Sequence, residues 1–341
     1  MPDSTVISLT VLHTVLAVNG VMVLGIVLRL SGLLRPEADR SLFNVTLYLL
    51  MPCLILDNLL FAETFSDLRN VIVPPILGFL GILVGMSVVV GFTYLLPRRL
   101  TGIENEKQRG TFAACTGMFN YGFVPIPLIA ALYPNDSSML GTLFLQNVGV
   151  EIAVWTLTLL AISGRLQRDS WKKAINPPTI TIAVALGFQL LRRLPIFPAG
   201  TEEILLPHLG FFRQALHLLG AAAIPMNVLL VGGTIADQFD WQRMKTEWPR
   251  GLKVAFWSCV FRLGILASLF LVAAIFLPVP PEVKRVLVIH GAMSSAVFPI
   301  VMAKFYGGDS PTAVFAVIGN TILGLVTTPL WIGFGLTWIA R

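Results

Sequence analysis

The 341-residue sequence predicts an all-α polytopic membrane protein with ten transmembrane helices, arranged as two inverted five-helix repeats. Charged residues make up 12% of the chain and apolar residues 55%, whereas a soluble domain averages about 25% charged residues. Residues 40–165 slide onto 213–338 without a gap, and unusual residues then fall into register. The matched pairs are Pro52 and Pro225, Gly78 and Gly251, Gly91 and Gly264, Tyr133 and Tyr306, Asp136 and Asp309, and Asn147 and Asn320.

Ten apolar runs have about the length of 20 residues that crosses a bilayer. They cover 6–28, 42–60, 73–96, 108–132, 139–163, 177–194, 208–233, 250–277, 284–305 and 311–338. The first run is predicted to be a span and not a secretory signal, because the residues before it carry Asp3 and no Lys or Arg. Residues 1–172 then form the first repeat and residues 173–341 the second.

Positive charge lies mostly on one side of the predicted spans. The joints 1–2, 3–4, 5–6, 7–8 and 9–10 hold sixteen Lys and Arg residues, and the opposite side holds seven. Cytoplasmic loops carry the positive excess, so we predict a multi-pass protein of the cell (inner) membrane with both termini extracytoplasmic. Five helices per half also force the second half to run inverted relative to the first.

The sequence carries no sign of enzyme or metal chemistry. Cys53, Cys115 and Cys259 lie in predicted spans without metal-type spacing. A Walker lysine loop, a nucleophile elbow and a His/Glu metal cluster are all absent from the sequence. We therefore expect no enzymatic activity, no cofactor and no nucleic-acid partner.

The fourth and ninth spans are predicted to be broken helices. Pro125 and Pro127 remove two helix donors in the fourth span, so the helix should restart near Val124. The equivalent stretch of the ninth span ends at Pro299. In inverted halves the two restarted helices would point their N-termini at one spot, which attracts an anion. A packing kink is the simpler explanation of one break, but two in matching positions favour a binding site.

Other polar residues lie deep in the predicted spans. Asn147 and Glu151 share a helix face, and a mid-membrane Glu151 is costly unless protonated, paired or hydrated. The alternative to a functional role is that Glu151 is a structural hydrogen-bond partner. Arg262 either snorkels or pairs with Glu151, and His290 is either a proton-sensitive ligand or a buried core histidine. Candidate substrate-binding residues are Met118, Asn120, Gly122, Val124, Pro125, Asn147, Glu151, Ser294, Ser295, Pro299 and Asn320, and candidate coupling or counter-charge residues are Glu151, Arg262 and His290.

Five segments of the sequence carry recognisable motifs, and these are Gly32–Ala38, Leu49–Ile55, Phe119–Leu128, Phe298–Tyr306 and Pro329–Trp331. These motifs resemble the auxin efflux carrier family, whose bacterial members often move dicarboxylates. The similarity runs from about residue 20 to residue 335.

The resemblance implies the ten-helix inverted-repeat fold shared with bile-acid-type transporters. Helices 1, 2, 6 and 7 (about 6–60 and 177–235) would form a scaffold. Helices 3–5 and 8–10 (about 70–165 and 245–338) would form a transport domain in which the broken helices cross. It also implies that Asn120 contacts a substrate carboxylate. Glu151 departs from the glutamine of auxin-exporting members, which puts auxin in doubt as the substrate.

Three functions are compatible with these features. The leading one is a secondary transporter or uniporter for a small organic anion (a carboxylate, auxin-like or dicarboxylate), working by elevator-type alternating access in the lipid bilayer. The second is a sodium- or proton-coupled exchanger or symporter, with oxygen ligands from Asn147, Glu151, Ser294, Ser295 and Asn320. The third is a non-transporting membrane sensor. We also expect a homodimer through the scaffold helices.

Overall fold

The computed structural model describes residues 4–60, 69–134, 136–165, 170–192, 210–238 and 241–339. These residues form helices and no strand, which confirms the all-α prediction. In chain order the first half contains α1 (Ser4–Leu30), α2 (Pro36–Leu59), α3 (Arg69–Leu95), α4 (Glu106–Gly117), α5 (Pro125–Leu132) and α6 (Ser138–Ser163). The second half contains α7 (Pro177–Arg192), α8 (Gly210–Asp237), α9 (Lys245–Phe276), α10 (Pro281–Ala292), α11 (Phe298–Phe305) and α12 (Ser310–Ile339).

Seven of the described helices are long and apolar enough to cross a membrane. They are α1, α2, α3, α6, α8, α9 and α12. The predicted run at 177–194 is the 16-residue α7, and part of it lies outside the described residues. The runs at 108–132 and 284–305 are each split into two shorter helices, as the prolines predicted. The inverted relation between the halves stays a prediction.

Residues matched by the 173-residue spacing occupy corresponding places in the two halves. Asp136 precedes α6 and accepts a hydrogen bond from the backbone N–H of Ser138 at 3.1 Å. Asp309 precedes α12 and accepts from the backbone N–H of Thr312, also at 3.1 Å. Both aspartates satisfy N–H groups that a helix start leaves unpaired. The matched aspartates therefore share a helix-capping role.

Glycines allow the closest helix contacts. A side chain at Gly149 of α6 would collide with the carbonyl oxygen of Pro75 in α3. Gly25 of α1 and Gly232 of α8 are equally tight against the backbones of Leu229 and Met22. Small residues let helix backbones approach closely in membranes, where lipid offers little hydrophobic driving force for association.

We predict that Gly149→Ala destabilises the fold while Gly91→Ala does not. The added methyl at position 149 has to displace the α3 backbone, and such overpacking typically costs about 1–3 kcal/mol. No atom of the residues that the structure describes lies within 4 Å of the Cβ position at Gly91, and alanine is the better helix former. Thermal unfolding of both variants in detergent tests this. Equal melting temperatures would contradict the tight α3–α6 contact.

Candidate functional site

The first helix break follows from its prolines and lies between Gly117 and Pro125. Pro125 occupies the first turn of α5, where a missing N–H costs nothing. Met118 at the end of α4 is extended, with φ −89° and ψ 114°. The second break joins α10 to α11 over residues 293–297. Both interruptions predicted from the sequence are therefore present.

The two breaks pair with each other. The N–H of Asn120 donates to the carbonyl of Ser294 at 2.9 Å, and the N–H of Ala296 donates to the carbonyl of Met118 at 3.0 Å. This short antiparallel bridge satisfies backbone groups that the interrupted helices would otherwise leave unpaired inside the membrane. Part of the backbone groups freed by each break are therefore paired with the opposite break.

Asn147 and Asn320, which match each other in the two halves, connect the breaks to the long helices beside them by hydrogen bonds. Asn147 Nδ2 of α6 donates to the carbonyl of Tyr121 in the first break at 2.9 Å. Asn320 Nδ2 of α12 donates to Ser295 Oγ in the second break at 2.9 Å and to Ser258 Oγ of α9 at 2.6 Å. Each asparagine thus positions one break.

The two paired breaks, residues 118–124 and 293–297, are called the crossing below. A cavity of about 30 Å³ lies where the crossing meets α1 and α8. It has room for a water molecule or two, so a larger ligand needs the surrounding helices to separate. The lining residues are Val15, Val18, Asn19, Met22, Asn120, Phe123, Val124, Val228, Val231, Met293, Ser294, Ser295, Val297, Thr321, Gly324 and Thr328. None of them is ionisable.

Asn120 presents a free donor at this cavity. Its side chain is 7% exposed, and its Oδ1 accepts a long hydrogen bond from the N–H of Gly122 at 3.4 Å. Among the described residues, Asn120 Nδ2 donates no hydrogen bond. The Ser294 hydroxyl, on the other break, likewise has no hydrogen bond within the described part of the chain. Two donors without a partner in the described part of the chain therefore lie in one neutral cavity.

Glu151 lies outside the cavity lining and is surrounded by donors. The Tyr121 hydroxyl donates to Oε1 at 2.8 Å, and Trp155 Nε1 donates to Oε2 at 3.1 Å. Asn176 Nδ2, just before α7, contributes a longer bond of 3.5 Å to Oε2. An ionised carboxylate accepts hydrogen bonds at both oxygens and donates none, so these contacts fit the charged form.

Arg262 neither snorkels nor pairs with Glu151. It is fully buried in α9 and donates to backbone carbonyls at the end of α10, with Nε 3.0 Å from the Met293 oxygen. The pairing with Glu151 that the sequence suggested does not occur. His290 is also fully buried, with its ring centroid 4.7 Å from that of Phe119, and it does not line the cavity.

The predicted site residues thus separate into two groups. Asn120, Val124, Ser294 and Ser295 line the cavity. The others lie in or behind the breaks without reaching the lining, and these are Met118, Gly122, Pro125, Asn147, Glu151, Arg262, His290, Pro299 and Asn320.

The sequence did not identify the residues of α1, α8 and α12 that line the cavity. Two features of the sequence could have identified some of them. Asn19 is a polar residue in the middle of the first apolar run. Thr321, Gly324 and Thr328 recur at a spacing of three and four residues, which places them on one helix face. The aliphatic lining residues of α1 and α8 carry no such signal.

Comparison with known proteins agrees with this architecture. A family model described as "Membrane transport protein" matches residues 10–170 and again 166–332. An uncharacterized transporter of Methanothermobacter thermautotrophicus is 28% identical over 94% of this chain and 96% of its own length. The uncharacterized transporter MJ1031 of Methanocaldococcus jannaschii is 22% identical over 94% of this chain and 97% of its own length.

Proposed function

Because this chain belongs to the membrane transport protein family, and its sequence carries motifs that resemble the auxin efflux carriers, we propose that it moves a small organic anion across the membrane. The proposed substrate is a carboxylate, either an auxin-like molecule or a dicarboxylate. The observation that carries the proposal is the neutral cavity at the crossing, where Asn120 Nδ2 and the Ser294 hydroxyl have no protein partner among the described residues.

The donors around the cavity suit a carboxylate. Ser295 Oγ accepts from Asn320, so its own proton is free to be donated elsewhere. The N-terminal ends of α5 and α11 lie at the breaks, and helix N-termini carry partial positive charge. No carboxylate of the lining competes with the substrate. An anion entering this cavity therefore meets donors and positive helix ends.

The hydrogen bonds that hold the crossing support an elevator-type movement. Asn147, Arg262 and Asn320 hold the two breaks from α6, α9 and α12. All three helices fall in the proposed transport domain, so the crossing can move as one body against the scaffold of α1, α2, α7 and α8. The scaffold closes the small cavity through α1 and α8. Sliding between these bodies would open the cavity to either side in turn.

A thermal-shift screen of the purified protein tests the substrate class. Mono- and dicarboxylates are added with and without sodium, at two pH values. A ligand at a hundred times its Kd stabilises the folded state by about 2.7 kcal/mol, which is a shift of several degrees. Stabilisation by a carboxylate supports the proposal. A screen in which the uncharged amides of the same acids stabilise equally would contradict recognition of an anion.

Cation coupling is a second candidate function. Asn147 Oδ1 and Asn320 Oδ1 are buried and accept no hydrogen bond within the described residues, and amide oxygens are ligands for hard cations. Glu151 is a poorer sodium ligand, because its oxygens already accept from three donors. Stabilisation by sodium without any carboxylate, in the same screen, would favour this function.

We predict that cysteines introduced at Ser4 and Gln167 label from opposite faces of intact cells. The distribution of Lys and Arg places Ser4 outside and the 5–6 connection in the cytoplasm. Gln167 lies outside the described residues, so this expectation rests on the sequence. A membrane-impermeant thiol reagent should modify only the Ser4→Cys protein until the cells are opened. Labelling of both positions from one face would contradict the inverted repeat.

A further inference from the structure

Arg262 donates hydrogen bonds to backbone carbonyls at the C-terminal end of α10. Its Nη2 donates to the carbonyls of His290 at 3.2 Å and Gly291 at 2.6 Å, and its Nε donates to that of Met293 at 3.0 Å. The guanidinium carbon is also 5.6 Å from the ring centroid of Phe119, in the first break. The carbonyl of Ala292 accepts from Thr328. One side chain therefore contacts both breaks of the crossing.

The Arg262 charge has no acidic partner among the described residues. Its side chain is fully buried, and its Nη1 makes no hydrogen bond in the described part of the chain. A guanidinium stays protonated in proteins, so a full positive charge is held inside the membrane by backbone dipoles and aromatic rings. Burying such a charge unpaired is costly and marks a functional role.

We propose that Arg262 is the fixed positive charge that makes the crossing cavity prefer anions. The carboxyl end of a helix carries about half a negative charge, and the carbonyls of α10 bring that end to the crossing. Arg262 more than cancels it. The positive N-terminal ends of α5 and α11 are then left in excess. Arg262 acts as a positioning residue, because it holds Met293 of the lining and does not itself line the cavity.

Glu151 does not cancel this charge at the cavity. Its carboxylate contacts Tyr121, Trp155 and Asn176, and none of the three lines the cavity. Arg262 contacts Met293, which does. Among the described residues, the ionisable group joined to the lining by a hydrogen bond is therefore the cation.

The proposal rests on the proposed function and can be tested without a substrate. Thr321, in the lining, is replaced by Cys in a background where Cys53, Cys115 and Cys259 are Ser. The rates of modification by a sulfonate-bearing and an ammonium-bearing methanethiosulfonate are compared, each divided by its rate with 2-mercaptoethanol. We expect the sulfonate reagent to be favoured at least about tenfold, because at moderate effective dielectric a fixed positive charge attracts the sulfonate and repels the ammonium.

Two variants separate charge from shape. Arg262→Gln should lower the sulfonate preference at least about tenfold, and Arg262→Lys, which keeps the charge and loses the planar fork, should keep most of it. Equal preference in the Gln and Lys variants would overturn the proposal. Where Arg262→Gln does not fold, the unmodified Arg262 protein still decides, because a sulfonate preference of one or less contradicts a positive cavity.

Two other outcomes have a defined meaning. A Thr321→Cys protein that neither reagent modifies would also contradict the proposal, because ions would then have no access to the cavity. A strong sulfonate preference without any carboxylate ligand in the thermal-shift screen would refute carboxylate transport and leave the role of Arg262 standing. Failure of one proposal is thus distinguishable from failure of the other.

Discussion

Asn120→Ala is expected to weaken binding of the anion roughly 10- to 150-fold. The reason is that Asn120 Nδ2 lies at the cavity without a protein partner among the described residues, and losing a hydrogen bond to a charged group costs about 1.5–3 kcal/mol. The fold should survive, because the Asn120 backbone N–H still pairs with Ser294. Ligand titration of the thermal shift, using the best carboxylate of the screen, measures the change in Kd.

Asn19→Ala is the matched control for this variant. Asn19 lines the same cavity from α1, but its Nδ2 is already used, donating to the carbonyl of Val15 at 2.8 Å. Its removal should change the Kd by less than about threefold, since this bond holds Asn19 Nδ2 against its own helix. An Asn19→Ala effect as large as that of Asn120→Ala would move recognition to the scaffold side. Unchanged affinity in Asn120→Ala would leave the Ser294 hydroxyl as the next candidate.

The membrane fold was predictable because its signals are local. Apolar runs are set by bilayer thickness, and Pro125 and Pro299 each lie in the first turn of a helix that restarts after a break. Prolines inside α3 and α12 do not interrupt those helices. The capping aspartates Asp136 and Asp309 could be matched between halves because a helix start needs a polar side chain in both.

The cavity was only half predictable, because it depends on which helices meet. The residues of the breaks were found through prolines, serines and Asn120. Val15 and Val228 look like any other aliphatic residue of a span, and only the packing of α1 and α8 brings them to the crossing. The pairing of one break with the other was also invisible in the sequence, since backbone partners so far apart in the chain leave no side-chain pattern (Asn120 N–H to Ser294, and Ala296 N–H to Met118).

Charges were the hardest feature to place. Glu151 and Arg262 are opposite in sign and both lie deep in predicted spans, which made an ion pair the obvious arrangement. In the structure each instead forms a hydrogen bond with one break. Glu151 accepts from Tyr121 of the first break, and Arg262 donates to Met293 of the second. The resulting separation of charge across the crossing is a property of three-dimensional packing, and opposite signs alone did not predict it.

The separation changes what Glu151→Gln should do. Removing one partner of a buried ion pair strands the other and typically costs about 3–5 kcal/mol, but Glu151 forms no ion pair with any described residue. Glutamine keeps the shape of the side chain. Its Oε1 can accept from Trp155 and Asn176, and its amide can face the Tyr121 hydroxyl, which rotates to accept. A folded protein is therefore expected.

Glu151→Gln should flatten the pH dependence of transport in that folded protein. Asn176 precedes α7 of the proposed scaffold, while Glu151, Tyr121 and Trp155 belong to the proposed transport domain. Sliding between the domains would withdraw Asn176 and leave the carboxylate with fewer donors, in a state that can take up a coupling proton. Glutamine cannot bind that proton. Uptake into proteoliposomes over a range of pH, beside thermal unfolding, measures both effects, and Trp155→Phe, which keeps the carboxylate, should retain the pH dependence. A stable Glu151→Gln protein with unaltered transport at every pH would rule out coupling through this residue.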